Sequence, residues 1–263
     1  MKIASIQLEV FENDKAAALD AAEQAVAANS DADLVILPEI WNVGFMSFDA
    51  YHSESEDESG PTLSLMKTLA QQHRIHLHTG SFVEKQGNKY YNSSFLLSPE
   101  GEILAKYRKI HLFGYGSRET ALLSPGNEPV VVDTPLGTFG LATCFDLRCP
   151  ELFRAMVDQG AGVFLVCSAW PYPRLDPWRI LNRARALENQ AFLISANSTG
   201  VNSGSRFVGH SMVADPYGHI LAGAGDDPAV IRTEIDVKAV ERARQEFPGL
   251  AGRRKFLNPP LLS

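Results

Sequence analysis

The chain has 263 residues, and 45% of them are hydrophobic, which is enough for a sizeable core and excludes a disordered protein. Its formal net charge of −7 argues against bulk binding to nucleic acid or to an anionic membrane, because both partners call for a basic face. Uninterrupted apolar runs stay well short of the roughly 20 residues that a membrane-spanning helix needs. The N-terminal segment lacks the long apolar core of a signal peptide. Together with three cysteines, which cannot all pair, this predicts a reduced, cytoplasmic protein.

Strand and helix signals alternate along the first half of the chain. Residues 1–9 alternate apolar and polar side chains and predict a strand, and residues 13–28 predict a helix with Asn13 as its N-cap. A short buried strand at 34–37 and a helix that Pro61 opens, running to about residue 73, come next. A hairpin of strands 75–84 and 89–98 and a strand at 103–107 complete this half.

The second half begins with a long segment, residues 111–129, that has no clear period and is long for a loop, which is typical of a functional segment. Predicted strands follow at 130–133, 138–143, 163–167, 192–196, 208–215, 219–221 and 230–236. Predicted helices cover 150–159, 176–189 (opened by Asp176-Pro177) and 237–246. Because no linker or repeat interrupts this alternation, we expect one domain over residues 1–263, with an α/β layered fold and mixed sheets.

Three side chains with catalytic potential stand directly after predicted strands. Glu39 follows the strand in LVILPE, Lys109 follows the one in LAKYRK, and Cys144 ends the one in GLATC. In α/β folds, catalytic side chains gather beyond the carboxyl ends of strands, so these three residues are expected to meet.

The three residue types also form a coherent chemical set. A thiol with an ordinary pKa of about 8.5 attacks poorly, but a carboxylate can take its proton while a lysine offsets the negative charge. The same ammonium group suits the oxyanion of a tetrahedral intermediate. The turn after Cys144 would add the backbone N–H of Phe145 to that oxyanion site.

Seven motifs, in order along nearly the whole chain, resemble those of the nitrilase superfamily, the carbon–nitrogen hydrolases of amides and nitriles. They are LPEIW (37–41), KYRKIHLF (106–113), ETALLSPGN (119–127), TCFDLRCPELFR (143–154), RARALENQAFLISANSTG (183–200), GHSMVADPYG (209–218) and EIDVKAVERARQEFP (234–248). Each fragment is weak by itself, and the specificity comes from their combination.

This resemblance implies a four-layer α-β-β-α sandwich with a Glu–Lys–Cys triad. Glu39 would be the general base, Lys109 the oxyanion cation and Cys144 the nucleophile, and Glu119 matches a second glutamate near the lysine. Neither a metal nor an organic cofactor is implied. The resemblance also implies a homodimer or a higher homo-oligomer.

Within the superfamily, the sequence is most similar to the omega-amidase-like branch, which hydrolyses 2-oxoglutaramate and related dicarboxylic monoamides. Trp170 stands where Phe is expected for that branch, and the 111–119 segment is shorter than usual. A carboxylate-bearing substrate needs a cation besides Lys109, and Arg174 is our candidate because a guanidinium binds a carboxylate through two hydrogen bonds. Arg148 is an alternative, although DLRCPE favours a structural ion pair.

Other functions stay open at this level. Within the same chemistry, the substrate could be an aliphatic amide, a nitrile or an N-carbamoyl compound. In another class, the chain could be a binding or regulatory protein that keeps the fold without turnover, or an accessory chain that passes ammonia to a partner. The complete Glu39–Lys109–Cys144 set argues against the regulatory alternative.

Overall fold

The computed structural model describes residues 1–254, and its framework consists of two six-stranded β-sheets. The first sheet contains β1 (Lys2–Gln7), β2 (Leu34–Ile36), β3 (His76–Gln86), β4 (Lys89–Leu97), β5 (Ile103–Arg108) and β14 (Ala229–Glu234). The second contains β6 (Val130–Thr134), β7 (Gly137–Thr143), β8 (Val163–Ser168), β9 (Phe192–Asn197), β12 (Met212–Ala214) and β13 (Ile220–Gly223). A separate ribbon pairs β10 (Val201–Asn202) with β11 (Ser205–Arg206).

Both sheets are mixed, with a parallel centre and antiparallel edges. The first has the order β14-β1-β2-β3-β4-β5, in which β1, β2 and β3 are parallel. The second has the order β13-β12-β9-β8-β7-β6, in which β7, β8 and β9 are parallel. Parallel neighbours bring the carboxyl ends of their strands to one edge, and this is the geometry on which the predicted site depends.

Helices lie outside the two sheets. The helices are α1 (Lys15–Ala27), α2 (Pro61–His73), α3 (Glu119–Leu122), α4 (Pro150–Asp158), α5 (Leu175–Asn189) and α6 (Ala239–Glu246). One core cluster joins α1 and α2 to the first sheet, and a larger one joins the inner faces of both sheets to α4 and α5. The predicted four-layer α-β-β-α sandwich is therefore confirmed.

Strand alternation divides the apolar side chains between these cores. On β1, Ala4 and Ile6 belong to the cluster under α1 and α2, whereas Ile3 belongs to the one between the sheets. On β2, Val35 points towards the helices and Ile36 points inward. A strand buried on both faces needs apolar residues at nearly every position, which explains why these segments are continuously hydrophobic.

Two predicted helix starts were wrong. Asn13 is not the N-cap of α1, because it adopts a left-handed φ of 56°; Asp14 caps the helix instead, and its carboxylate accepts the Ala17 N–H at 3.0 Å. Helix α5 begins at Leu175, so Asp176 lies in its first turn rather than at the cap.

The later loops also differ from the predictions. The strand predicted at 208–215 is confined to β12, because Gly209 and His210 have φ of 63° and 49° and interrupt extended backbone. The long segment at 111–129 contains one turn of helix, α3, which no periodicity indicated. Among residues 1–254, no helix combines the length and the apolar character that crossing a bilayer requires.

Candidate active site

Glu39 lies inside the sandwich because the chain turns sharply after β2. The Pro38 carbonyl accepts the Ser81 N–H at 3.0 Å, and Gly80 approaches it so closely that a Cβ there would lie 2.1 Å from that oxygen. Gly80 also has a φ of +66°, which glycine adopts without strain. The turn leaves the Glu39 carboxylate fully buried.

Lys109 follows β5 and extends into the same interior. Its backbone N–H donates to the Asn92 carbonyl at 2.9 Å, and its own carbonyl accepts the Gly126 N–H at 2.9 Å. Its Nζ lies 2.8 Å from Glu39 Oε1, and 3.1 and 2.9 Å from the two oxygens of Glu119. All three side chains have no exposed surface, so the ammonium group is enclosed by two carboxylates.

Glu119 begins the single turn α3, which places its side chain beneath the 111–118 loop. Its Oε2 also accepts the Phe113 N–H at 2.6 Å, which ties this loop to the buried ion cluster. The structure thus brings Glu119 to Lys109, as the resemblance implied.

Cys144 directly follows β7 and starts a short 3-10 segment over Cys144–Arg148, where it adopts a left-handed φ of 50°. The buried Asp146 carboxylate fixes this turn, because it accepts the Thr143 N–H at 2.8 Å and the Tyr107 hydroxyl at 2.7 Å. Nδ1 of His111 lies 2.7 Å from the same carboxylate, and this contact gives His111 a structural role in the turn. A strained backbone at a strand end is a common setting for a reactive side chain.

Burial and charge set the resting protonation of the site. Burial raises the pKa of the Cys144 thiol, the negative charge of Glu39 raises it further, and the ammonium of Lys109 opposes both. Burial works against the charged form of Lys109, but the charges of Glu119 and Glu39 outweigh it and raise the pKa of that amine. The resting site therefore holds a neutral thiol beside a protonated lysine.

A small pocket opens over Cys144. Its lining is mostly aromatic and apolar, with two guanidinium groups, and consists of Phe45, Phe113, Cys144, Phe145, Arg148, Ala169, Trp170, Pro171 and Arg174. The three predicted substrate-binding residues, Phe145, Trp170 and Arg174, all lie on this lining. Glu39, Lys109 and Glu119 are not on it, since they lie buried beneath it.

The two arginines of the pocket face aromatic rings. The guanidinium carbon of Arg148 lies 5.0 Å from the centre of the Trp170 ring, and that of Arg174 lies 5.7 Å from the Phe113 ring. The structural ion pair expected for Arg148 was wrong: within residues 1–254 this side chain has no carboxylate partner at salt-bridge distance, and it lines the pocket instead. The carboxylate of Asp146, in the same motif, contacts Tyr107 and His111 instead.

Sequence reasoning missed several groups that complete the site. The Asn92 amide donates to Glu39 Oε1 at 2.8 Å and to Glu119 Oε1 at 2.9 Å, and the Ala169 N–H donates to Glu39 Oε2 at 2.9 Å. Asn92 lies in the middle of β4, a strand otherwise read only as half of a hairpin. Asn92 could have been found as a single amide in β4 that lies opposite Lys109, at the end of the neighbouring strand β5.

Across residues 1–254, no three or more His, Cys, Asp and Glu side chains are grouped so that they could hold a metal ion. The absence of a cofactor stays a prediction.

Comparison with known proteins identifies the family. The carbon-nitrogen hydrolase family matches residues 2–245, so the chain belongs to it. The chain is 35% identical to the 2-oxoglutaramate amidase of Paenarthrobacter nicotinovorans, over 88% of this chain and 82% of that protein. It is 34% identical to the deaminated glutathione amidase of Synechocystis, over 89% of this chain and 92% of the relative.

The fold comparison agrees with the sequence comparison. The crystal structure of Saccharomyces cerevisiae Nit3, a member of branch 10 of the nitrilase superfamily, matches with a TM-score of 0.88 and 33% identity, covering 97% of both chains. The similarity spans the whole sandwich, including the strand ends that carry the candidate site.

Proposed function

We propose that this protein is a cysteine-dependent amidase that hydrolyses the amide of a small, carboxylate-bearing substrate to an acid and ammonia. The observation that carries this proposal is the buried Glu39–Lys109–Glu119 cluster, because the charges of Glu39 and Lys109 act on the thiol of Cys144, which lines the pocket. Carboxylate, ammonium and thiol in this arrangement supply a base, a cation and a nucleophile for acyl transfer.

In the first half of the proposed reaction, Cys144 Sγ attacks the amide carbonyl carbon and its proton passes to Glu39. The Cys144 pKa is raised in the resting site, so the proton is transferred as the S–C bond forms rather than beforehand. The oxyanion is stabilised by Lys109 and by the backbone N–H of Phe145. Glu39 then returns the proton to the leaving nitrogen, the C–N bond breaks and ammonia departs, leaving a thioester.

In the second half, a water molecule occupies the position that ammonia has left. Glu39 takes its proton as the water attacks the thioester carbon, and the C–S bond then breaks. The proton returns to the Cys144 sulfur, which restores the neutral thiol of the resting site. Glu119 contributes by holding Lys109 in place, since it contacts the ammonium with both oxygens.

The pocket supports a small acyl group that ends in a carboxylate. The lining of the pocket is mostly aromatic and apolar, which suits a short acyl chain. Among the described lining residues, only Arg148 and Arg174 carry a positive charge. A guanidinium that lacks a carboxylate partner in the protein is free to bind one on the substrate, through paired hydrogen bonds. We therefore propose a compact dicarboxylic monoamide as the substrate, in keeping with the similarity to a 2-oxoglutaramate amidase.

Ammonia release from a panel of compounds tests the proposal. The panel contains 2-oxoglutaramate, succinamate, propionamide and propionitrile, and the variants are Cys144→Ala and, as the matched thiol control, Cys149→Ala. We expect turnover of the two carboxylate-bearing amides by the wild type and by the Cys149 variant, and none by the Cys144 variant. Full activity of Cys144→Ala would refute the mechanism, whereas turnover of the uncharged compounds alone would refute the substrate class.

We further infer that two copies associate through the outer surface of α5 and its neighbours. Large apolar side chains that are exposed there include Ile180, Leu187, Tyr217, Ile220 and Phe247, with 43–68% of their surface open to solvent. An apolar surface of this kind on one side of a monomer is typical of an interface. Sedimentation equilibrium tests this: a monomeric wild type would contradict it.

The cysteines support a reducing compartment such as the cytoplasm. Cys144, Cys149 and Cys167 are all free thiols in the structure, and the proposed mechanism requires Cys144 to remain one.

A further inference from the structure

Asn92 is the one amide side chain seen to contact both carboxylates of the ion cluster within the described part of the chain. Its Nδ2 carries two hydrogens, and its distances of 2.8 Å to Glu39 Oε1 and 2.9 Å to Glu119 Oε1 assign one hydrogen to each acid. The orientation of the amide follows from this, because an oxygen turned towards two carboxylates would be repelled by both. Asn92 itself is buried, with 1% of its surface exposed.

The opposite end of the same amide is unsatisfied. Asn92 Oδ1 is buried and has no hydrogen-bond partner within residues 1–254. A buried acceptor without a partner is unfavourable, so the fold accepts a cost in stability in order to present the NH2 group to the acids.

The hydrogen bonds around the two carboxylates are unevenly distributed. Both oxygens of Glu119 accept two donors each: Oε1 from Asn92 and Lys109, and Oε2 from Lys109 and the Phe113 N–H. Oε1 of Glu39 also accepts two, from Lys109 and Asn92. Within residues 1–254, Oε2 of Glu39 accepts one hydrogen bond from the backbone, the Ala169 N–H, so it is the oxygen of this pair with the most capacity left for the proton of Cys144.

We propose that Asn92 is a positioning residue that favours the charged form of Glu119, holds Glu39 in place and directs proton transfer from Cys144 to Oε2 of Glu39. This inference rests on the proposed amidase function. Asn92 acts through the two acids and does not line the pocket, so it is not expected to contact substrate. Its second effect is on Lys109: with Asn92 supporting both Oε1 atoms, one ammonium hydrogen can turn to an oxyanion without leaving either carboxylate unsupported.

The pair needs such support because two negative charges share one cation. Burial and the charge of Glu39 both raise the pKa of Glu119, and Lys109 and the Asn92 hydrogen bond lower it. The other titratable groups that face the cluster are Cys144, Tyr51 and Cys167, none of which adds positive charge. Without Asn92, Glu119 loses a hydrogen bond to its charged form and should bind a proton at higher pH.

The test compares Asn92→Ala and Asn92→Asp with Asn189→Ala. Asn189 is the matched control, because it is fully buried, its Nδ2 donates once, to the Arg185 carbonyl, and its Oδ1 is also unpartnered, yet it lies far along α5. Two readouts are measured against pH: kcat and KM for the amide that the wild type hydrolyses, and the rate at which iodoacetamide alkylates Cys144. Rates are normalised to the amount of folded protein.

For both Asn92 variants we expect kcat to fall about a hundredfold with KM changed less than threefold, as for a misplaced catalytic group. The acid limbs of both pH profiles should move up by about one pH unit, more for Asn92→Asp, and the Asn189 variant should match the wild type. Unchanged profiles in folded Asn92 variants would overturn the inference and leave a purely structural role. The alkylation profile reports on Asn92 even if no amide is hydrolysed, so failure of the amidase proposal is distinguishable from failure of this one.

Discussion

Acid should destabilise this protein partly through one histidine, His78, which lies fully buried between the two sheets. The Gly80 N–H donates to its Nδ1 at 3.3 Å, so Nδ1 is an acceptor, and within residues 1–254 its buried Nε2 has no partner. Because burial disfavours the charged ring, the pKa of His78 falls from 6.5 to about 3. The native protein therefore keeps a neutral ring at pH values where the unfolded chain binds a proton.

The sign and size of the effect follow from linkage between proton binding and folding. Above pH 6.5 the ring is neutral in both states and contributes nothing to the pH dependence of the free energy of unfolding. Below that pH only the unfolded state is protonated, so stability falls as pH falls, by about 1.4 kcal/mol per pH unit. Between pH 7.5 and pH 5.0 this amounts to a loss of about 2 kcal/mol from His78 alone.

Urea unfolding at several pH values, compared between wild type and His78→Asn, isolates this contribution. Asparagine offers an oxygen near the position of Nδ1 but does not titrate, and the other six histidines are shared by both proteins. We expect the two stability curves to converge by about 2 kcal/mol between pH 7.5 and pH 5.0. His219→Gln, at a ring with 72% of its side chain exposed, is the control for the loss of a histidine that is not buried. Parallel curves for wild type and His78→Asn would refute the reasoning.

Three further predictions concern the cluster, the turn and the pocket. Lys109→Met leaves two buried carboxylates without a cation and should lower the free energy of unfolding by about 3–5 kcal/mol in urea titrations; a loss below 1 kcal/mol would contradict it. Gly80→Ala forces a Cβ against the Pro38 carbonyl and should lower the melting temperature severely, whereas Gly87→Ala, which has a similar φ and open space around it, should change it little; equal effects would argue against the steric account. Arg148→Leu and Arg174→Leu should each raise KM for succinamate about tenfold or more while changing that for propionamide much less, as measured by ammonia release; equal changes for both amides would remove the carboxylate role.

Most strands and helices of the sandwich could be predicted from local sequence. Strands that are buried on both faces are continuously apolar, and helices often begin with a capping residue or, as at Pro61, a proline. The misplaced elements are those governed by distant contacts. Glycine at 209 and a left-handed His210 shorten β12, and α3 exists because Glu119 is held by Lys109 rather than by any helical period. Such constraints come from tertiary contacts that a window of local residues does not contain.

The candidate site divides in the same way. The catalytic roles of Glu39 and Cys144 could be predicted because each follows a buried strand, and the order of the motifs linked them to Lys109. Asn92 was not, since a polar residue inside a strand carries no sign of what faces it. The pocket position of Arg148 was predicted only as an alternative to Arg174, because neighbouring charges in DLRCPE suggested a local pair. The 3-10 turn at Cys144 instead directs the Arg148 side chain towards Trp170.

The most direct test of the account is to look for the acyl group on Cys144. The protein is mixed with succinamate, and the reaction is quenched in acid within the first turnovers. The protein is then digested, and the masses of the peptides are measured by mass spectrometry. We predict that the peptide containing Cys144 gains the mass of the succinyl group, that hydroxylamine removes it, and that Cys149 stays unmodified. Ammonia release at an undiminished rate from Cys144→Ser protein, with no acyl adduct on the wild-type Cys144 peptide at any time, would contradict the account.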